Sequence, residues 1–398
     1  MDGSALGGAA SGRKAIVVGG GIGGLAAAIA LHRRGWQVEI LERAATFGEI
    51  GAGLSLWPNG VRALDALGLG DQVRERTLTE TEGGIRDMTG RWLSRTDVQE
   101  LERRYGPVVA VHRAHLLEIL REAVPATALR TGTEVSGVGI DGPQIEVRHS
   151  AGTSRSDLLV GADGIRSVVR RSLWPGHPDP RYAGYTAWRV IVDTGRPLTS
   201  GGETWGRGER VGIVPLADGT TYLFGAASAP EGQRSPDGEL AEMRRRFNGW
   251  HAPIPELLAA ASEDAVMRHD IYHLPPLPTF VRGTTALLGD AAHAMTPDMG
   301  QGANQALEDA VTLAAMLAAH PTIESALAAY DRRRRARAQM IARRSRLIGT
   351  VAQWSWSPAA TVRDWVVRLS PSASILKALD SALTWSPPTP DATGADRP

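Results

Sequence analysis

A strand run, a glycine cluster, a helix run and a second strand run follow one another directly near the start of this chain: Ala15-Ile-Val-Val, GGGIGG, LAAAIALHRRG and Val38-Glu-Ile-Leu-Glu. That order predicts one βαβ unit, and a crossover through a helix makes the second strand parallel to the first. Gly19, Gly21 and Gly24 fall between strand and helix with the Gly-x-Gly-x-x-Gly spacing. Each has its own reason to lack a side chain: Gly19 makes the turn, Gly21 lets a pyrophosphate approach the backbone, and Gly24 lets helix and strand pack closely. The positive N-terminus of the helix then faces the phosphates. Glu42 closes the second strand where an acid binds a ribose hydroxyl, which suits the free 2'-hydroxyl of NAD or of the adenosine half of FAD better than a 2'-phosphate.

With 398 residues the chain is long enough for more than one domain. Its 44 basic and 43 acidic side chains leave a formal charge of +1, so no overall field favours nucleic acid or an anionic membrane. Cysteine is absent, which excludes disulfides, thiolate metal sites, a Cys nucleophile and a redox dithiol. Any redox chemistry has to come from a bound cofactor. The opening MDGSALGGAASG lacks the basic start and apolar stretch of a secretory signal, so a cytoplasmic protein is expected. The uncharged run over residues 15–31 contains five glycines and falls short of the roughly 20 apolar residues of a membrane span, so no integral membrane segment is expected.

After the βαβ unit come a glycine-rich stretch over residues 48–53, a helix near residues 59–67 and mixed structure to about Pro107. Residues 113–123 are apolar at helical spacing through Leu116, Leu117 and Leu120, and short strands follow. From about Tyr182 the pattern becomes strands rich in aromatic and β-branched residues, with Asp218-Gly219 between two of them as a hairpin turn. The α/β pattern returns at Thr285-Ala-Leu-Leu-Gly-Asp and passes into a long helical region. The fold class expected is α/β: a Rossmann-like domain over residues 13–180 and 283–350, an inserted antiparallel sheet over residues 181–282, and a C-terminal helical segment with a flexible tail over residues 351–398.

Two further stretches carry special residues. Asp163-Gly164, in LLVGADGIRSVVR, follows an apolar strand, and taken alone it reads as a turn into a helix over residues 165–172. In GDAAHAMTPDMGQGANQALEDAV, Gly289-Asp290 turns the chain after a strand and Gly300-Gln301-Gly302 supplies unhindered backbone N–H groups where a helix starts. Free N–H groups and the helix dipole together make a seat for negative charge.

These stretches together resemble the class A flavoprotein monooxygenases, the p-hydroxybenzoate hydroxylase-like family that includes salicylate and urate hydroxylases, tetracycline-inactivating monooxygenases and zeaxanthin epoxidase. GGGIGG with Glu42, the DG pair at Asp163-Gly164 and the GD pair at Gly289-Asp290 occur in the family's order and spacing, over roughly residues 13–350. The resemblance implies FAD as cofactor and NADPH or NADH as reductant, bound without a second Rossmann domain. It places Glu42 and Arg43 at the adenosine ribose, Arg113 and Gly289-Asp290 on the FAD, and Asp163-Gly164 at both FAD and NAD(P)H. The backbone from Gly300 to Ala303 and Asn304 is placed at the pyrimidine edge of the isoalloxazine, with Pro297, Gly300, Gln301 and Gly302 as the catalytic loop. The implied chemistry is reduction of FAD, addition of O2 to give a flavin C4a-hydroperoxide, and transfer of its distal oxygen to a small or medium aromatic or polycyclic substrate, by hydroxylation or epoxidation.

Substrate contacts are expected from Tyr185, Trp188, Trp205, Tyr222 and Phe224 on the inserted sheet and from Met299 in the flavin loop. Side chains alternate along strands, so about half of the sheet aromatics are expected to point away. Arg189, Arg207 and Arg210 are candidates for a substrate carboxylate or carbonyl, with solvated surface charge as the plainer reading of each. His293 is expected to be structural rather than a proton relay. The arginine run over residues 332–346 is read as a solvated helix face, not a nucleic-acid site. The C-terminal segment with Trp354, Trp356, Trp365, Leu376, Leu379, Leu383 and Trp385 is read, in order of preference, as a cap on the protein's own core, a dimer contact or a membrane-surface contact. A monomer or homodimer is expected. A two-Rossmann disulfide reductase lacks its cysteines here, and a two-Rossmann Baeyer–Villiger enzyme lacks its second glycine fingerprint. A halogenase or oxidase of the same fold, or a flavin protein without turnover, remain the alternatives; a halogenase's Trp-x-Trp-x-x-Pro signature is missing after the first domain.

Overall fold

The computed structural model describes residues 12–47, 52–80, 82–141 and 144–388. Part of the glycine-rich stretch, residues 48–51, and the tail beyond residue 388 lie outside the described residues.

Strand Lys14–Val18 sits inside a six-stranded sheet, flanked by Gln37–Leu41 on one side and Leu158–Gly161 on the other, both parallel to it. Thr285–Leu287 continues the parallel set beside Leu158–Gly161, and Leu129–Arg130 extends it beyond Gln37–Leu41. Only the short edge strand Val281–Arg282 runs antiparallel. The central strands are covered on both faces, so they read as unbroken apolar runs such as Ala15 to Val18. Helix Ile22–His32 is buried over almost its whole length, packed between the sheet and helix Gly302–Ala319. The three motif-bearing turns consequently emerge from adjacent strands at their carboxyl ends: the glycine loop after Val18, Asp163 after Gly161 and Gly289-Asp290 after Leu287. In an open parallel sheet that end is where ligands bind.

The second large sheet has seven strands in the order Met267–His273, Arg181–Val192, Thr221–Ser228, Glu209–Pro215, Gly202–Trp205, Gly84–Asp87 and Trp92–Arg95. Its last two strands come from upstream of the aromatic region, so the sheet is not built from residues 181–282 alone. Asp218-Gly219 does lie in the connection between Glu209–Pro215 and Thr221–Ser228: Gly219 has φ +85° and the Asp218 carboxylate accepts the Thr220 backbone N–H at 3.0 Å. One face of this sheet packs on helices Glu239–Phe247 and Ile254–Ala260 through Trp188, Val190, Leu223 and Phe247. The other face, with Tyr222 and Phe224, is turned towards the cavity described below.

From Gly302 the described chain is helical: Gly302–Ala319, Ile323–Ala352, Ser357–Leu369 and Ser372–Leu383. The arginine run on Ile323–Ala352 is not a uniformly solvated face. Arg334 is 1 % exposed and turns inward, where its Nε lies 2.6 Å from Asp309 and its guanidinium also meets Glu308 and Gln305. Arg337 reaches Glu308 at 2.8 Å. A helix packed on one side sends every third or fourth residue inward, and in this run the inward positions find acids on the neighbouring helix. No described helix is long and apolar enough to cross a membrane.

Candidate active site

Between the parallel sheet's carboxyl end and the cavity face of the seven-stranded sheet lies a cavity of about 730 Å³. Its wall begins at Gly21, Ile22 and Gly23, the N-terminus of helix Ile22–His32, which has no side-chain cap. A Cβ on Gly21 would meet nothing within 4 Å, whereas one on Gly24 would sit 1.9 Å from the Gly19 carbonyl oxygen and one on Gly19 would sit 2.4 Å from the Ala162 carbonyl. Gly24 and Gly19 are therefore needed for packing, and Gly21 leaves open room for a ligand against bare backbone. Glu42 accepts the Gly20 N–H at 2.6 Å and the Ala44 N–H at 2.8 Å, bracing the loop from outside the cavity wall. Arg43 is exposed beside it and does not reach the cavity.

The opposite wall comes from the 289–303 segment. Gly289, with φ +56°, turns the chain so that Asp290 projects into the cavity, while the Asp309 carboxylate accepts the Gly289 N–H at 2.9 Å from behind. The Asp290 carboxylate has no protein hydrogen-bond partner among the described residues; burial pushes its pKa up, against the pull of His293 and Arg113. Arg113 lines the same space, and burial lowers its pKa while Asp290 opposes the shift. Pro297 and Met299 form one 3₁₀ turn, Gly300 adopts φ +60°, and Gly302 and Ala303 open helix Gly302–Ala319 with no side-chain cap. All five line the cavity. Gln301 and Asn304 do not. The Gln301 side-chain Oε1 accepts from the Asn59 amide at 3.0 Å and from the Gln305 amide at 3.1 Å. Asn304 accepts the Trp57 N–H at 3.0 Å and donates to the Gly300 carbonyl at 2.8 Å. Both side chains thus hold the loop's shape from inside the protein.

At the DG pair, Gly164 lines the cavity but the Asp163 side chain points away from it. Its Oδ2 accepts the N–H groups of Val168 and Val169 at 2.6 and 3.1 Å, starting helix Val168–Leu173 a little later than residue 165, and its buried Oδ1 has no partner. Burial raises the pKa of Asp163 and these hydrogen bonds oppose the rise. Arg170, which sequence reading passed over as one basic residue in a helix, donates to the Ile165 carbonyl at 2.6 Å and to the Ala291 carbonyl at 2.9 Å. It ties the DG turn to the GD turn. His293 is buried behind the loop with Nε2 2.6 Å from Asp309, in keeping with the structural reading.

Strand register decides the aromatic candidates. Trp188 pairs with Gly225, whereas Arg189 pairs with Phe224, so Trp188 and Phe224 point to opposite faces. Trp188 is a correction to the expected substrate set: it packs edge-on to Phe247 at 6.3 Å and donates to Glu239 at 2.7 Å on the far side. Trp205 is a second correction. It shares the cavity face but lies at its border under Arg363, 5.3 Å from the ring centroid, and donates to Glu203 at 2.7 Å. Tyr222 and Phe224 do line the cavity, with ring centroids 5.9 Å apart. Tyr185 sits just behind the wall and donates to Asp298 at 3.0 Å; burial, followed by the Asp298 charge, raises its pKa. Arg207 is exposed, but Arg189 and Arg210 line the cavity. Arg210 is 2 % exposed and ion-paired with the fully buried Asp298; burial would lower its pKa, and Asp298 and Glu203 more than reverse this.

Three more residues on the wall were missed in the sequence. Asp298 reads there as a loop acid after Pro297, and only the approach of the strands Arg181–Val192 and Glu209–Pro215 gives it its partners Tyr185 and Arg210. Glu80 hydrogen-bonds Ser55 at 2.8 Å, and burial raises its pKa against that bond. Leu379 arrives from helix Ser372–Leu383, too far along the chain to be placed by pattern.

The wall therefore presents two uncapped helix N-termini, a patch of bare glycine backbone, an unpartnered carboxylate and a buried arginine around one elongated space. Those donors suit a diphosphate, ribityl hydroxyls and a ring that becomes anionic on reduction, which are the parts of FAD. Residues 13–345 match the family model described as FAD binding domain. The chain is 40 % identical over 369 residues to the aurachin C monooxygenase/isomerase of Stigmatella aurantiaca, covering 91 % of this chain and 95 % of that protein. It is 36 % identical over 335 residues to an FAD-dependent urate hydroxylase of Klebsiella pneumoniae, covering 81 % and 85 %. Among solved structures, Klebsiella pneumoniae HpxO complexed with FAD and uric acid superposes with a TM-score of 0.87 at 30 % identity, over 93 % of this chain and 96 % of that one. With the family match spanning most of the chain and the cavity built to fit its cofactor, this protein belongs to the FAD binding domain family and is a class A FAD-dependent monooxygenase.

Proposed function

We propose that this enzyme hydroxylates a planar, electron-rich, fused-ring aromatic compound bearing a phenolic or enolic oxygen. The observation that carries the reading is the pairing of Tyr222 and Phe224 on the cavity wall with the cations Arg189 and Arg210 on the same sheet face. Aromatic walls select a flat ring, and a cation beside them favours an oxygen that becomes negative. The urate named for one relative is itself a fused-ring compound with ionisable oxygens. Bound FAD supplies the redox chemistry, taking a hydride from NAD(P)H and activating O2 so that one oxygen atom enters the substrate and the other leaves as water.

The protein's own part is binding, orientation and proton handling. Gly21, Gly23, Arg113 and Asp290 hold the FAD, with Glu42 and Gly24 shaping the loop from behind. Gly302 and Ala303, at the uncapped start of their helix, would stabilise negative charge on the ring system through backbone N–H groups, while Gly300, whose own N–H is held by the Pro297 carbonyl at 2.8 Å, shapes the turn before them. Pro297, Met299, Tyr222 and Phe224 frame the substrate, while Tyr185 acts through Asp298 as a positioning residue for Arg210. Glu80 takes the substrate's phenolic proton, which makes the ring more electron-rich at the moment of oxygen transfer.

The test is a panel of hydroxylated fused-ring heteroaromatics and monocyclic phenols, assayed for NAD(P)H oxidation in isotopically labelled O2. The expected result is substrate-stimulated oxidation with one labelled oxygen atom in a fused-ring product. Stimulation by monocyclic phenols alone would overturn the substrate class. Within that assay, Tyr222→Ala is expected to raise the substrate KM by roughly tenfold or more, as the loss of a ring contact and its buried area implies. Trp188→Phe is expected to leave KM unchanged and to lower thermal stability, because it changes packing on the other face. Equal effects on KM would place the substrate elsewhere.

Glu80 makes a separate prediction. Because burial raises its pKa, the carboxylate form needed to accept a proton is lost at a higher pH than for an exposed glutamate. As pH falls through that raised pKa, kcat/KM is expected to fall, and Glu80→Gln is expected to lower the plateau and remove this acidic limb. An unchanged pH profile in the variant assigns the proton to another group.

A further inference from the structure

Ten large apolar side chains are exposed among the described residues, and seven of them lie between residues 347 and 369: Leu347, Trp354, Trp356, Val362, Trp365, Val366 and Leu369. Such concentration separates a patch from ordinary scattered exposure. Val362, Trp365, Val366 and Leu369 stand at helical spacing, so they form one stripe along helix Ser357–Leu369. Trp356 is 72 % exposed and Trp365 57 %.

This helix is inverted relative to an ordinary surface helix. Its inward face carries Ala360 and an arginine: Arg363, 3 % exposed, donates to the Ala352 carbonyl and to the Gly206 carbonyl, each at 2.8 Å, and stacks on Trp205. The charged group is pinned inside, and the large apolar groups are held facing out. No other described residue covers them. Helix Ser372–Leu383 instead buries Leu376 and Leu383 against Leu101 and Val108, which meets the expectation of a core cap for that part of the segment only.

Charge narrows the occupant. Residues 343–369 contain five arginines and one acid, in a chain whose total is only +1, and the single acid Asp364 is paired with Arg363. Arg343 and Arg346 are exposed on the face of the long helix that also carries Leu347. Arg368 is exposed at the far end of the stripe, with a long 3.7 Å ion pair to Asp87, and Arg207 sits in the loop whose Gly208 N–H is bonded to the Trp354 carbonyl at 3.0 Å. A second copy docked symmetrically would set these arginines against their equivalents. An anionic surface would pair with them while taking up the tryptophans, which favour the boundary between headgroups and hydrocarbon.

We propose that helix Ser357–Leu369, together with Leu347, Trp354 and Trp356, seats this protein on the surface of an anionic phospholipid bilayer. Thirteen residues lie along the interface rather than across it, with the stripe in the headgroup boundary and the arginines on the phosphates. The contact lies apart from the flavin cavity, since none of these side chains lines it.

Flotation of the FAD-loaded enzyme with phosphatidylcholine vesicles, with and without phosphatidylglycerol, tests the assignment. The wild type is expected to float with the phosphatidylglycerol vesicles, less so at high salt, and Trp356→Ser combined with Trp365→Ser is expected to reduce the bound fraction at least tenfold with FAD content unchanged. Should the double variant lose FAD, Val362→Ser with Leu369→Ser reads the same contact without touching tryptophan. No flotation of the wild type, or equal flotation of both variants, overturns the proposal. So does a dimer in sedimentation that these substitutions dissociate without any vesicle binding, which would make the occupant a second copy.

Discussion

Asp290→Ala is expected to weaken FAD retention on the order of 10- to 100-fold while leaving the apoprotein at least as stable as wild type. The first half follows from placement: the carboxylate projects into the cavity with no protein partner, so its hydrogen bonds are made to the ligand, and a bond to a charged group contributes roughly 1.5–3 kcal/mol. The second half follows from the same placement: the carboxylate opens onto the cavity and bonds no protein group, so its removal takes no contact from the apoprotein. Thermal melts of both apoproteins from acid to neutral pH, with FAD titrations beside them, check both halves. A variant that keeps full flavin affinity removes Asp290 from the site, and one whose apoprotein melts early marks a folding defect instead.

Arg334→Met is expected to cost about 3–5 kcal/mol of stability, because it leaves Glu308 and Asp309 buried without their main cation. Burial alone would raise the Asp309 pKa, but His293, Arg334 and the Gly289 N–H overcome it and hold the carboxyl at about 2. A depressed acid stabilises the fold fully above its ordinary pKa and loses that contribution as pH falls towards the folded value. Wild type is therefore expected to lose stability as pH drops from about 4 to about 2, and Asp309→Asn is expected to flatten that limb. Denaturant unfolding at successive pH values reads both variants; a loss below 1 kcal/mol in Arg334→Met would mean that the cluster relaxes by admitting water. The same cluster holds Gly289 from behind, so the variant's FAD affinity is expected to fall along with its stability.

These two clusters mark the limit of what sequence reading supplies. Gly19, Gly21, Gly24 and the strand-helix-strand around them were legible because their constraint is local: a tight turn and a close approach leave glycine as the residue that fits. Asp218-Gly219 was legible for the same reason. Asp290 could be placed on the cofactor only through the resemblance to the flavoprotein monooxygenases, since the residues around it read by themselves as a turn after an apolar strand. Arg334, by contrast, sits in a run of arginines that looks solvated, and only the packing of its helix against Gly302–Ala319 turns that one side chain towards two acids. The inward-pointing Arg363 was hidden in the same way.

Composition and local pattern by themselves determined the parallel sheet, the cofactor loop, the absence of protein thiol chemistry and the existence of an inserted sheet of aromatic strands. Tertiary structure alone decided that Tyr222 and Phe224 face the cavity while Trp188 does not, that Gln301 and Asn304 brace the loop instead of lining it, and that Asp298, Glu80 and Arg210 share one wall. The physical reason is strand register and chain crossing. A shift of one residue exchanges the faces of a strand, and contacts between residues as far apart as Arg210 and Asp298 depend on how whole elements pack, which no short window of sequence contains.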